Sequence, residues 1–287
     1  GNCLFEALDE FFEIARRAKA RSEIYHIKVS GRANWHKLDD MFSRIEAAQD
    51  NGLPVTADMY TYHASSTGLD AVMPPWVQEG GHKVWVERLK RPDIREKVKH
   101  EMNTPTSAWD NGYICAGSPE NILLIEFKND RLKSLTGKTL AEVAAVRGRS
   151  PEDTAMDLVV EDDSRVGASF FSMSEDNIRK EIRKPWISFG SDSGSLATEG
   201  VFLKRQPHPR AYGTFARLLG KYVRDEGLVP LTEAIRRLTS FPAGNLRLDR
   251  RGRLIPGHYA DVVVFDPATI QDRATFKAPH QYAVGMK

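Results

Sequence analysis

Apolar residues recur at helical spacing at the start of the chain. Leu4, Leu8, Phe11, Phe12 and Ile14 share one face, with acids early and Arg16, Arg17 and Lys19 late, an order that suits the helix dipole. The pattern predicts a helix over 4–20, then a strand over Ile24–Val29 that ends at Ser30-Gly31. A second amphipathic helix follows over Leu38–Ala48, closed by Asn51-Gly52-Leu53-Pro54, and a second strand over Val55–Tyr60. Strand, helix, strand with short polar links is βαβ rhythm and implies a parallel sheet. From Pro74 to about Ser150 the rhythm breaks. A charged helix over 83–102 and a strand-like Ile122–Phe127 read there as an insertion folding over the sheet's C-terminal face.

Order resumes at Ser150-Pro151-Glu152-Asp153, a helix start with a cap, a first-turn proline and acids. Val166–Phe171 and Trp186–Gly190 read as two more strands of the βα kind, with a helix over Asp176–Arg183 between them. Helices are expected over Thr214–Glu226 and Leu231–Leu238, and a β-branched strand over Val262–Asp266. Neither a tandem repeat nor a low-complexity tract is present.

Composition narrows the class. With 287 residues the chain can bury a large core, and its 41 basic and 39 acidic residues leave a formal charge of +2. That balance argues against a nucleic-acid or anionic-membrane surface. No apolar run approaches the ~18 residues of a membrane span, and no signal peptide is seen. Cys3 and Cys115 are far apart and lack a C-x-x-C partner, so neither a disulfide framework nor a structural zinc site is indicated. A cytoplasmic location is the default expectation.

Chemistry gathers at a few positions. Asp192 follows the strand Trp186–Gly190 among glycine and serine; it reads either as an Asx-turn or as an acid placed where βα enzymes carry their chemistry. His26 and Lys28, two apart, share a strand face; they read as a metal ligand beside a fixed cation, or as a core imidazole with a snorkelling lysine. Trp76, Trp85 and Trp109 read first as packing.

His26-Ile27-Lys28, Tyr60-Thr61-Tyr62, Ser65-Ser66-Thr67-Gly68-Leu69, Gly190-Ser191-Asp192, His208-Pro209-Arg210, Tyr212-Gly213-Thr214-Phe215 and Gly257 to Pro267 occur in one order. In that order they resemble the N-acyl-D-amino-acid deacylases (D-aminoacylases) of the amidohydrolase superfamily, over essentially the whole chain. The resemblance implies an α/β fold: a zinc-bearing (β/α)₈ TIM barrel with an insertion near its mouth and a small β-sandwich domain. Ile24–Val29 would be the fifth barrel strand and Ile187–Gly190 the eighth. Residues 1–250 would form a partial barrel with the insertion at about 70–150, and 251–287 part of the β-domain. It further implies that His26 binds zinc and that Asp192 takes a proton from metal-bound water and passes it to the leaving amine. Lys28, a tyrosine of the Tyr60/Tyr62 pair and Arg210 would hold the substrate's carboxylate. These residue types suit amide hydrolysis: zinc lowers the pKa of bound water to about 7, a carboxylate shuttles protons, and an arginine fork grips an anion.

The family's His-x-His pair, bridging Cys or Glu and fourth-strand histidine have no counterpart here, and Gly1-Asn2 resembles the residues just after that histidine. The expectation is therefore a C-terminal portion of a deacylase. Alone it should be inactive, weak in zinc binding and prone to aggregate through open sheet edges. Its partner is a small-molecule N-acyl-amino acid, with oligomeric state open. Two other readings are a related amidohydrolase cleaving dipeptides or cyclic amides, and a non-catalytic remnant.

Overall fold

The computed structural model describes residues 1–286 and shows an α/β molecule with two sheets. The first is parallel, in the order β1 (Ser22–Ile24), β2 (Val55–Met59), β6 (Ile187–Phe189), with Ser22 opposite Val55 and Ala57 opposite Ile187. The second is antiparallel, in the order β3 (Ser65–Gly68), β5 (Gly167–Phe170), β4 (Ile122–Glu126). Three of the four expected βα strands thus share one sheet, whereas Val166–Phe171 appears as β5 and pairs elsewhere. Its partner β3 is built of small polar residues, which no hydrophobic pattern announces.

The helix Leu4–Ala18 ends at Lys19 in left-handed geometry, and Leu38–Asp50 covers the sheet through Leu38, Met41, Phe42 and Ile45. Together with the helices after β6 they enclose the first core, which holds Val55, Ala57, Met59, Ile187 and Phe189. Leu69 to Phe170 supply a separate core around the antiparallel sheet. The expected helix over 83–102 is two, His82–Leu89 and Pro92–Met102. Arg91, preceding proline, is held extended and breaks the run. Tyr60, Tyr62 and Met173, with Phe276 against them, form a small third cluster.

Among the described residues, the expected strand over Val262–Asp266 finds no strand partner. Its one ladder contact is an isolated bridge from Phe265 to Met286, and Val262, Val263 and Val264 are 59%, 70% and 59% exposed. A β-branched run is only a strand when another strand lies beside it. No helix among the described residues is long and apolar enough to cross a membrane.

Candidate active site

The strand expected over Ile24–Val29 stops at Ile24. His26 turns left-handed (φ 39°), and Asp58 takes both neighbouring amides: its carboxylate Oδ1 accepts the His26 N–H at 2.9 Å and its carbonyl accepts the Ile27 N–H at 2.7 Å. His26 and Lys28 therefore meet across a turn, not by strand alternation. Lys28 Nζ lies 2.7 Å from His26 Nδ1 and donates to the His26 carbonyl at 2.9 Å. Burial lowers the Lys28 ammonium to about 8, and burial and then Lys28 lower the His26 imidazole.

Asp192 lies just beyond β6, also left-handed (φ 47°), a conformation that aspartate tolerates better than most residues. Its Oδ1 accepts from the Tyr25 hydroxyl at 2.6 Å, and its Oδ2 lies 2.6 Å from Arg210 Nη1. The latter approach is off the N–H direction, so Arg210 Nε and Nη1, both buried, remain without a hydrogen-bond partner. The guanidinium is thus ion-paired with Asp192 and keeps donor capacity on its buried face, which a second carboxylate could use. Its Cζ lies 4.5 Å from the Tyr60 ring centroid, and Lys28 Nζ is 5.7 Å from the same centroid.

Arg210 is aimed by His208. The imidazole accepts the Arg210 backbone N–H on Nδ1 at 3.0 Å, so the proton sits on Nε2 and is donated to the Ala64 carbonyl at 2.9 Å. Burial holds this ring neutral, with its pKa down at about 3.

The structure thus gathers His26, Lys28, Tyr60, Asp192 and Arg210. Tyr62 is turned away: its hydroxyl donates to Asp272 at 3.1 Å, and Gly213 is what admits it, since a Cβ there would stand 2.0 Å from the Tyr62 oxygen. Tyr25, Asp58 and Glu181 escaped the sequence reading. Asp58 carried the same signal as Asp192, an acid near the C-terminal end of a parallel strand. Tyr25 and Glu181 carried none, because one contact is across the fold and the other residue is simply buried, at 3% exposure.

A protein zinc site needs three or four donors. Among the described residues no group of three His, Cys, Asp or Glu is placed to hold a metal. Lys28 Nζ lies against Nδ1 of His26, the tautomer setting which of the two donates, and one imidazole is at most one ligand. The described residues do not by themselves fit a metal centre.

A family model for the amidohydrolases matches residues 128–286, more than half of the chain. The chain belongs to the amidohydrolase family. This amidohydrolase chain is 33% identical over 286 residues to D-aminoacylase of Alcaligenes xylosoxydans xylosoxydans, covering 100% of it and 47% of that protein. It is 30% identical over 287 residues to N-acyl-D-glutamate deacylase of the same organism, again covering 100% and 47%. Among solved structures it resembles N-acyl-D-glutamate deacylase from Bordetella bronchiseptica, crystallised with zinc and a phosphonate mimic of the reaction's tetrahedral intermediate. The TM-score is 0.74 at 29% identity, over 98% of this chain and 48% of that one. The resemblance drawn from the sequence motifs is borne out. The amidohydrolase chain spans about half the length of the curated relatives that it matches.

Proposed function

We propose that the protein carrying these residues hydrolyses the amide bond of N-acyl-D-amino acids, giving a carboxylate and a free D-amino acid. The observation that carries this reading is the buried Arg210 guanidinium, ion-paired with Asp192 through Nη1, with its Nε donor unpartnered and Tyr60 against it. In the proposal Arg210, the Lys28 ammonium and Tyr60 receive the substrate's carboxylate, which fixes the scissile amide over Asp192. Asp192 accepts the proton of the attacking water and returns it to the departing nitrogen, the role a carboxylate fills in general acid–base catalysis. Tyr62, held by Asp272, is left out of this set.

Zinc is the cofactor we propose, by similarity to the Bordetella enzyme. His26 would supply one imidazole after releasing Lys28 from Nδ1. The remaining donors would come from outside the described residues, which accords with relatives twice as long. On this reading residues 1–250 are barrel strands five to eight with an insertion at about 70–150. Residues 251–287 belong to the small β-domain, and the protein is cytoplasmic. The 287-residue chain alone would bind zinc weakly and turn over nothing.

The test is kinetic, in the whole protein loaded with zinc. Asp192→Asn should lower kcat by about 10²–10⁴-fold, the span of general acid–base catalysis. Arg210→Lys should raise KM at least about tenfold by losing the bidentate grip. A non-catalytic remnant would ignore the first change. Preference for N-acyl-L-amino acids, dipeptides or cyclic amides over N-acyl-D-amino acids would overturn the substrate class.

A further inference from the structure

Tyr25 is a large aromatic left 60% exposed, so burial does not explain its placement. Its one side-chain hydrogen bond among the described residues is to Asp192 Oδ1, across 167 residues of sequence. The ring itself is fixed, tilted over His26 with centroids 4.2 Å apart. The backbone beneath it is pinned by β1 on one side and by the His26-to-Asp58 hydrogen bond on the other.

Asp192 needs such a hold. It lies in a loop of serine and glycine with no regular structure, and its second oxygen rests on Arg210 through a poorly aligned contact. When the Arg210 fork turns its donors to a substrate carboxylate, that contact weakens and Asp192 keeps only the phenol. The phenol occupies Oδ1 as a donor, so Oδ2 is the oxygen left to take up and release a proton.

We propose that Tyr25 is a positioning residue, which holds the Asp192 carboxylate in place through Oδ1 while Arg210 engages the substrate. The proposal rests on the hydrolase reading, and its two measurements separate the failure of one from the failure of the other.

The first uses the whole protein labelled with 3-fluorotyrosine. The ¹⁹F resonance that vanishes in Tyr25→Phe belongs to Tyr25, and Asp192→Ala should move it. A resonance that stays put overturns the contact and the proposal with it. The second measures the whole zinc-loaded protein. Tyr25→Phe keeps the ring on His26 and removes only the hydroxyl. It should lower kcat about tenfold, the worth of one charge-assisted hydrogen bond, with KM held within about twofold. An unchanged kcat, or a raised KM with kcat intact, overturns the positioning role. If the unaltered protein does not turn over N-acyl-D-amino acids, the hydrolase reading falls and Tyr25's part in it falls too, while the fluorine shift still reports the contact.

Discussion

At the scale of single residues, the candidate site holds ionisable groups away from water, some neutralised in pairs, as Asp192 and Arg210 are, and some not. Glu181 is the extreme case. It sits on the helix Glu175–Ile182 between Ile178 and Ile182 of the first core, 3% exposed. Burial pushes its carboxyl up to about 8, against the weaker pull of Lys28. The consequence for stability has a definite sign. Between the ordinary carboxylate range and pH 8 the unfolded chain has released this proton while the folded chain keeps it, so the contribution of Glu181 to stability falls as pH rises through that window. Glu181→Gln removes the difference. The variant should match the parent near pH 4 and exceed it by about 2–4 kcal/mol at pH 8, read from urea midpoints at both values. The readout is the difference between variant and parent, because His208, held neutral in the fold, makes the stability of both rise with pH up to the ordinary imidazole range. A difference that stays flat from pH 5 to 8 would show that Glu181 is ionised in the folded state. Above pH 8 the Lys28 ammonium, itself lowered to about 8, begins to contribute in the opposite direction, so the comparison belongs below that point.

At the scale of elements, β6 and the loop that it feeds depend on a residue far along the chain. Arg237, on the helix Leu231–Leu238, is 0% exposed, stacks on Phe189 at 4.5 Å, and donates to the carbonyls of Ile187 and Ile182. The Ile187 carbonyl points away from β2, so this guanidinium caps the free edge of the parallel sheet beside the Asp192 loop. Two effects oppose each other in Arg237→Met. Removing a buried cation with no carboxylate in ion-pair range among the described residues relieves desolvation, whereas two buried carbonyls lose their donors at about 1–3 kcal/mol each. Burial already costs the guanidinium, lowering it to about 10, yet it stays charged at neutral pH, so the carbonyl loss should win. A net destabilisation of about 1–3 kcal/mol by chemical denaturation is expected, and a more stable variant would mean that desolvation dominates. Elements of this kind mark where the sequence was legible. Periodicity announced the helices Leu4–Ala18, Leu38–Asp50 and Leu231–Leu238 and the cores of β2 and β6, because each buries one face. It overran β1, because the turn at His26 is dictated by Asp58, more than thirty residues on. It missed β3 altogether, since Ser65–Gly68 has no apolar face to read. Within the site, the residues named by motif came together except Tyr62, which Asp272 holds away, and the phenol on Asp192 and the buried Glu181 are tertiary facts without a local signature.

At the scale of the whole molecule, apolar surface is unevenly covered. The parallel sheet ends in two outer strands, β1 and β6, and the C-terminal stretch leaves Leu254 (74%), Ile255 (49%) and Val262 to Val264 open to water. Of these, the valine run is the stronger hazard. It is β-branched, contains no proline, and among the described residues its backbone makes no ladder bond before Phe265. The β6 edge, by contrast, is blunted by Arg237, and β1 is only three residues long. Asp261, paired with Arg251, and Asp266-Pro267 flank the run as gatekeepers but do not interrupt it. Val263→Lys places a charge in its centre, at a position 70% exposed whose side chain packs against little. Folded stability should therefore stay within about 0.5 kcal/mol of the parent. The rate of light-scattering growth at micromolar concentration should nevertheless fall several-fold, because association through this segment now has to bury an ammonium. The two measurements together decide the matter. A slower rate at equal stability assigns self-association to the native tail, whereas an unchanged rate assigns it to the sheet edges or to unfolded chains, which a charge at position 263 does not protect.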